Sequence, residues 1–522
     1  MVVIAREIPT LAAKPLQGVS GSARGHAGLF NATLTWLDEA GNRAPLLAEA
    51  MPQLNSDSWR VFPDGTMETT YRLRPNLTWQ DGAPLSAEDF VFAWRVYLTP
   101  EFGSTGPPVG VMEGVQAADA QTLVIRWRSP YPQAAELAAD FPPLPRHLLD
   151  QSYRDSDPLG FVGLPFWVSE YVGLGPYRVD RYEPGAWIEA TAFDGYVLGP
   201  PQIERVQVAF IQDPSAAVAH LLAGEAHYVT DFIIGPDDAL SLERQWQSQG
   251  QQGSTLFAPS QIRFTSFQFR PDIMNPTEMG DIRVRKAIAH SIDNAASLEA
   301  VTYGKGKLVS VPIPDDETFW PLFEGFPKYG YDPRRAQQLL EEAGYTRGDD
   351  ARYRAPHGRP FEFEFGFIAQ ASNERENTIW VDNLRQVGLS AHSQGYVQAQ
   401  IRGEGRSSFP ALFTGSGTRL TNLDMGNIPT PQNRWQGGNY GSWKNEDYDR
   451  LDRSFEVTLE LDRRNQTLLD MGRIYYEQLP GLAHYLTPIV NAWVPNLMNV
   501  STRSALPRVN PLDYAHKWDW RA

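Results

Sequence analysis

The chain has 522 residues, more than one hydrophobic core ordinarily serves, so two or three domains are expected. Its 43 Gly and 41 Pro are spread through a composition 42% hydrophobic and 21% charged, which excludes collagen and wholesale disorder. A net charge of −16 argues against a nucleic acid partner, and the absence of cysteine excludes thiol catalysis, disulfides and Cys-ligated metal centres.

The pattern alternates between strand and helix along the chain. Met67, Thr69, Tyr71 and Leu73 alternate with polar residues, the period-two mark of a half-buried strand. An Asp81-Gly82 turn follows. Ser86 and Asp89 then form a capping-box pattern ahead of Phe90, Val91, Trp94 and Tyr97 on one helical face. A second alternating run holds Leu123, Ile125 and Trp127. Together with Trp79 and Trp94, Trp127 is expected in a local core. The stretch 206–211 reads as a strand leading into a helix from Pro214 to Ala223.

Val284, Ala287, Ile288 and Ile292 lie at helical spacing. Asp332-Pro333 opens a further helix that Gly344 ends. Phe361, Phe363, Phe365 and Phe367 alternate as a strand, and Ile379, Trp380, Leu384 and Val387 give a helix stopped at Gly388. The last helices run over 445–457 and 462–479. The fold class is therefore mixed α/β.

No catalytic constellation stands out. Gly18-Val19-Ser20-Gly21-Ser22 fails the nucleophile-elbow pattern at its last position, and His-Glu-x-x-His is absent. Gly304-Lys305-Gly306-Lys307 lacks the full phosphate-loop pattern and reads as a turn. The nine His are scattered, and His220 and His227 are poorly spaced for a common metal. No cofactor and no metal site are expected, and the chain is read as no enzyme. The enzyme-class alternative is a glycoside hydrolase, since 15 Trp and many acids could line a sugar cleft.

Several segments, in order, resemble the peptide- and nickel-binding proteins of ABC importers (extracellular solute-binding family 5). They are Trp79-Gln80-Asp81-Gly82 followed by Ser86-Ala87-Glu88-Asp89, then Gly175-Pro176-Tyr177. Val284-Arg285-Lys286-Ala287-Ile288-Ala289-His290-Ser291-Ile292-Asp293 and Tyr331-Asp332-Pro333 through Glu342-Ala343-Gly344-Tyr345 come next, and Asn445 to Leu451 last. Most of these residues have a structural account as turns and caps. They identify a fold and do not mark a site.

The resemblance implies a two-lobed periplasmic-binding-protein fold (class II-like) with an extra inserted subdomain. Lobe I would comprise 1–35, 171–258 and 489–522, the inserted subdomain 36–170 and lobe II 259–488. It also implies a monomer outside the cytoplasm, periplasmic or tethered at the cell surface, that captures an oligopeptide or peptide-like solute between its lobes. The partners would be that ligand and ABC permease subunits. An oligosaccharide-binding member of the same family is the alternative. Met1 to Pro9 lacks the basic and apolar regions of a secretory signal, which suits a mature chain with its signal removed.

In the family's peptide binders a Trp, followed three residues later by Asp, helps hold the peptide α-amine. Here Phe413 and Ser416 stand at those positions, and a neutral Ser cannot pair a buried ammonium. Arg419, Asp424, Arg434, Trp435, Asn439 and Tyr440 follow as further ligand-binding candidates. Arg suits a carboxylate, while Trp and Tyr beside Asn suit stacking and orientation.

Overall fold

The computed structural model describes residues 1–16, 26–102, 106–230, 232–313, 317–501 and 510–521. The failed elbow pattern at 18–22 lies outside the described residues. The chain divides into two compact units. The first comprises Met1–Ala258, Val457–Leu459 and Ile489–Ala522; the second comprises Pro259–Glu456 and Glu460–Pro488. The expected lobe I and inserted subdomain thus fall together in the first unit. Two long strands, Ser254–Phe267 and Gly481–Trp493, contain the chain crossings at 258/259 and 488/489.

In the first unit the short strand Val2–Ile4 pairs in parallel with Arg205–Phe210 and with Tyr228–Val229. Trp187–Ala192 and Tyr177–Glu183 extend the sheet antiparallel beyond Arg205–Phe210. Val3 and Val208 are wholly buried, as expected of strands covered on both faces. A separate four-stranded sheet includes Met67–Arg72 against Thr122–Trp127, which pair antiparallel with Thr69 opposite Ile125.

The capping box forms: the Ser86 amide donates to Asp89 Oδ2 at 2.9 Å at the head of the helix Ala87–Tyr97. The same carboxylate accepts from the Arg146 amide at 3.0 Å and from the Trp79 indole at 3.4 Å, so one cap residue ties three segments together. Trp127 is buried and its indole donates to Thr69 Oγ1 at 2.9 Å. Trp79 and Trp127 are core residues, and Trp94 packs half-buried against the same core.

In the second unit Glu362–Ile368 is flanked in parallel by Ser390–Tyr396 and Leu412–Ser416, and Leu412–Ser416 pairs antiparallel with Ser254–Phe267. Ala371–Val387 supplies Trp380, Val381 and Leu384 to the core around Phe363 and Phe365. It ends at Gly388, whose φ of 105° no branched residue adopts easily. The helix Pro333–Glu342 begins as its sequence requires, with Asp332 accepting from the Arg335 amide at 2.9 Å. Gly304 turns the chain at φ 70° ahead of the strand Lys307–Leu308, a turn and no phosphate loop. Both remaining helices form as expected, at Glu446–Val457 and Leu461–Gln478.

Candidate functional site

All eight sequence-nominated residues lie in the second unit, on the strand Leu412–Ser416 and the long loop after it. The structure sorts them into four physical situations.

Phe413 and Ser416 are three residues apart on one strand, so they point to opposite faces. Phe413 is buried beside Phe409 and Tyr396, with ring centroids 5.6 and 6.0 Å away, in a small satellite core. It packs against those two rings. Ser416 faces the other way, opposite Arg263 in register. Its Oγ accepts from Arg263 Nη1 at 3.2 Å.

Arg263 is the centre of a buried polar network that the sequence did not reveal. Its Nε donates to both Glu376 oxygens at 3.1 Å, its Nη2 donates to Glu376 Oε2, and the Tyr485 hydroxyl donates to Glu376 Oε1. Burial opposes the Arg263 charge, but the Glu376 carboxylate outweighs it and raises the guanidinium pKa further. The Tyr485 phenol is pushed well up by burial and by Glu376. Next along the face, Thr414, Thr265 and His484 form a chain. Thr265 Oγ1 lies 2.6 Å from Thr414 Oγ1 and 2.8 Å from His484 Nε2. Burial, reinforced by the Arg263 charge, lowers the His484 pKa to about 3, so the ring is neutral.

Asn439 and Asp424 are loop staples. The buried Asn439 Nδ2 reaches the carbonyls of Leu423, Asp424 and Trp443 at 2.8, 3.1 and 2.8 Å, while its Oδ1 accepts from the Trp443 amide at 3.0 Å. Both ends of that amide are spent on backbone. Asp424 caps the turn Met425–Asn427, accepting from the Gly426 amide at 2.7 Å and from Asn427 Nδ2.

Arg434 and Trp435 sit at successive left-handed positions, with φ of 54° and 60°. Such conformations cost about 1 kcal/mol or more for non-glycine residues and gather where a loop must aim its side chains. Arg434 is exposed, and Trp435 is half-buried. Tyr440 packs against the Phe413 cluster with the Arg406 guanidinium 4.8 Å above its ring. Arg419 is exposed, and its amide donates to Asn422 Oδ1 at 2.8 Å.

The scattered His have other uses. His220 pairs with Glu225 at 2.6 Å and His227 with the chain's N-terminal amine at 2.5 Å. Among the described residues no group of three or more His, Asp or Glu is placed to hold a metal ion. No described helix is long and apolar enough to cross a membrane.

The family model described as bacterial extracellular solute-binding proteins, family 5 Middle, matches residues 49–439. This chain belongs to that family. The dipeptide-binding protein of Escherichia coli is 23% identical over 457 residues, covering 83% of this chain and 80% of the relative. Heme-binding protein A of Haemophilus influenzae is 23% identical over 487 residues, covering 87% and 80%. The match spans about half the length, 51%, of relatives from Brucella species that are 24% identical over 291 residues.

Among solved structures, NikZ of Campylobacter jejuni in complex with Ni(L-His) aligns with a TM-score of 0.78 at 20% identity, covering 99% of this chain and 98% of the other. The oligopeptide-binding protein of Thermus thermophilus complexed with a pentapeptide aligns at 0.71 and 20% identity, covering 100% and 96%. At these identities the likeness carries the fold, and the expected periplasmic-binding-protein fold is the one this family member has.

Proposed function

We propose that the chain is the extracytoplasmic capture component of an ABC importer and that it takes a peptide-like solute. The observation that carries the ligand chemistry is the hydrogen bond from Arg263 Nη1 to Ser416 Oγ. A hydroxyl that accepts from a guanidinium keeps its own proton to donate, so Ser416 offers a donor to whatever faces it. An ammonium placed there would lie about 6 Å from the guanidinium, whose charge alone opposes it by about 3 kcal/mol at an effective dielectric near 20, with the paired Glu376 acting against that repulsion.

Asp424, the acid in this loop nearest in sequence, is already engaged with Gly426 and Asn427. The preferred group opposite Ser416 is therefore an acceptor: a carbonyl, a carboxylate or a blocked peptide N-terminus. Relatives named for dipeptides and heme have different cargoes, so family membership supports capture and leaves the cargo to the local side chains. Arg434, Trp435 and Arg419 are the remaining nominees with side chains at the surface, and Asn439 and Phe413 act by holding the scaffold. ABC permease subunits are the proposed partners of the loaded monomer.

A thermal-shift screen against peptides, oligosaccharides, metal chelates and amino-acid conjugates tests this reading. A ligand that binds only the folded state raises the melting temperature in proportion to the logarithm of its concentration. A dose-dependent rise with peptides or peptide-like compounds is expected. A rise confined to saccharides would replace the reading with the oligosaccharide alternative.

A further inference from the structure

A cavity of about 520 Å³ lies wholly within the second unit. Both of the unit's main apolar clusters contribute to its lining. Ile292, Leu479 and Leu482 come from one cluster, and Trp320, Phe323 and Tyr475 from the other. Protein interiors are close-packed, and voids much larger than one water are few. This volume falls instead in the range of pockets for a single small molecule, roughly 300–1,000 Å³.

The polar groups around the cavity are unevenly committed. The Asp293 carboxylate accepts from the Ala295 and Ala296 amides at 3.1 and 2.9 Å, capping the helix Asn294–Thr302. Glu324 lies 4.0 Å from Lys307, whose ammonium also sits 5.3 Å over the Trp320 ring. His484 uses both ring nitrogens, on Thr265 and on Asn294 Oδ1 at 2.8 Å each. The donors with no protein partner among the described residues include the Lys328 ammonium at the exposed rim and Asn294 Nδ2. Donors thus stand open beside an aromatic wall, with the exposed Glu324 held only by its long ion pair to Lys307.

We infer that this cavity is a second ligand site, independent of the solute site, for a small aromatic carboxylate whose ring enters between Trp320, Phe323 and Tyr475 and whose anionic end meets Lys328 and Asn294. Isothermal titration of the intact protein with indole-3-acetate and its neutral isostere indole-3-acetamide tests it. One site is expected for the acetate, with the amide about tenfold weaker because a charge-assisted contact is lost. Lys328→Gln should erase the difference between the two probes. Ala295→Trp, a change at an exposed position on the mouth, should weaken both probes about tenfold by filling the entrance. Ser416→Ala should leave both unchanged. The inference is overturned if the acetate gives no binding heat, if neither Lys328→Gln nor Ala295→Trp weakens it, or if Ser416→Ala does.

Discussion

Arg263 and Glu376 lie 113 residues apart in sequence, yet the guanidinium grips both carboxylate oxygens inside the second unit, with side chains only 6% and 2% exposed. The strand Ser254–Phe267 supplies the cation and the helix Ala371–Val387 the anion, so the pair fixes a helix against a sheet. It also leaves one guanidinium nitrogen pointing at Ser416. A structural ion pair and the hydroxyl proposed for recognition are thereby one assembly, and changes to either register in the other.

Removing one member of a buried pair strands the other charge. Arg263→Met should destabilise the protein by about 3–5 kcal/mol, whereas Arg263→Met combined with Glu376→Leu should cost clearly less. Urea unfolding of the two variants decides it. Equal losses would mean that the pair's value lies in shape and not in charge compensation.

Asp452 gives a pH dependence of definite sign. It is buried, its Oδ1 has no hydrogen-bond partner, and its pKa is raised to about 8. Burial is the chief cause, Asp424, Glu456 and Asp449 add repulsion, and Arg453 offsets part of it. The folded state holds this proton over a range where the unfolded chain, near its ordinary value of 3.8, has released it. Its contribution therefore falls as pH rises from about 4 to about 8 and is flat beyond. Asp452→Asn should flatten that slope and stabilise the protein at pH 8 by about 2 kcal/mol or more. Melting curves from pH 5 to pH 9 check this, and parallel profiles for the two proteins would refute it.

Asn439→Ala removes the amide that joins Leu423, Asp424 and Trp443. A loss of about 1–3 kcal/mol is expected from the unpaired buried backbone groups. Hydrogen exchange should quicken at the Trp443 amide, which Asn439 Oδ1 accepts from. Unchanged protection there would show that the loop holds without this staple.

The elements that local chemistry dictates were legible in the sequence. The Ser86–Asp89 box, the Asp332-Pro333 start, the alternating Phe361 to Phe367 and the stop at Gly388 need only neighbours a few residues away. How the nominated residues pack was less legible. Phe413 and Ser416 were nominated from the resemblance alone, and period two on the strand Leu412–Ser416 puts them on opposite faces. Asn439 resembles a ligand contact in composition, but its partners are backbone carbonyls that only the folded loop brings together. Arg263 carried one usable signal, a lone charge in the otherwise uncharged stretch from Ser254 to Phe267. Its partner on a distant helix could be found only from tertiary structure.

The most direct test of the account is affinity selection from an equal mixture of N-acetylated and free-amine peptides of the same composition, read by mass spectrometry of the retained fraction. The account predicts that wild-type protein retains the acetylated set in about tenfold preference and that Ser416→Asp shifts the balance toward free amines. Preferential retention of free-amine peptides by the wild type would contradict the role given to Arg263 and Ser416. Retention of neither set would contradict peptide capture itself.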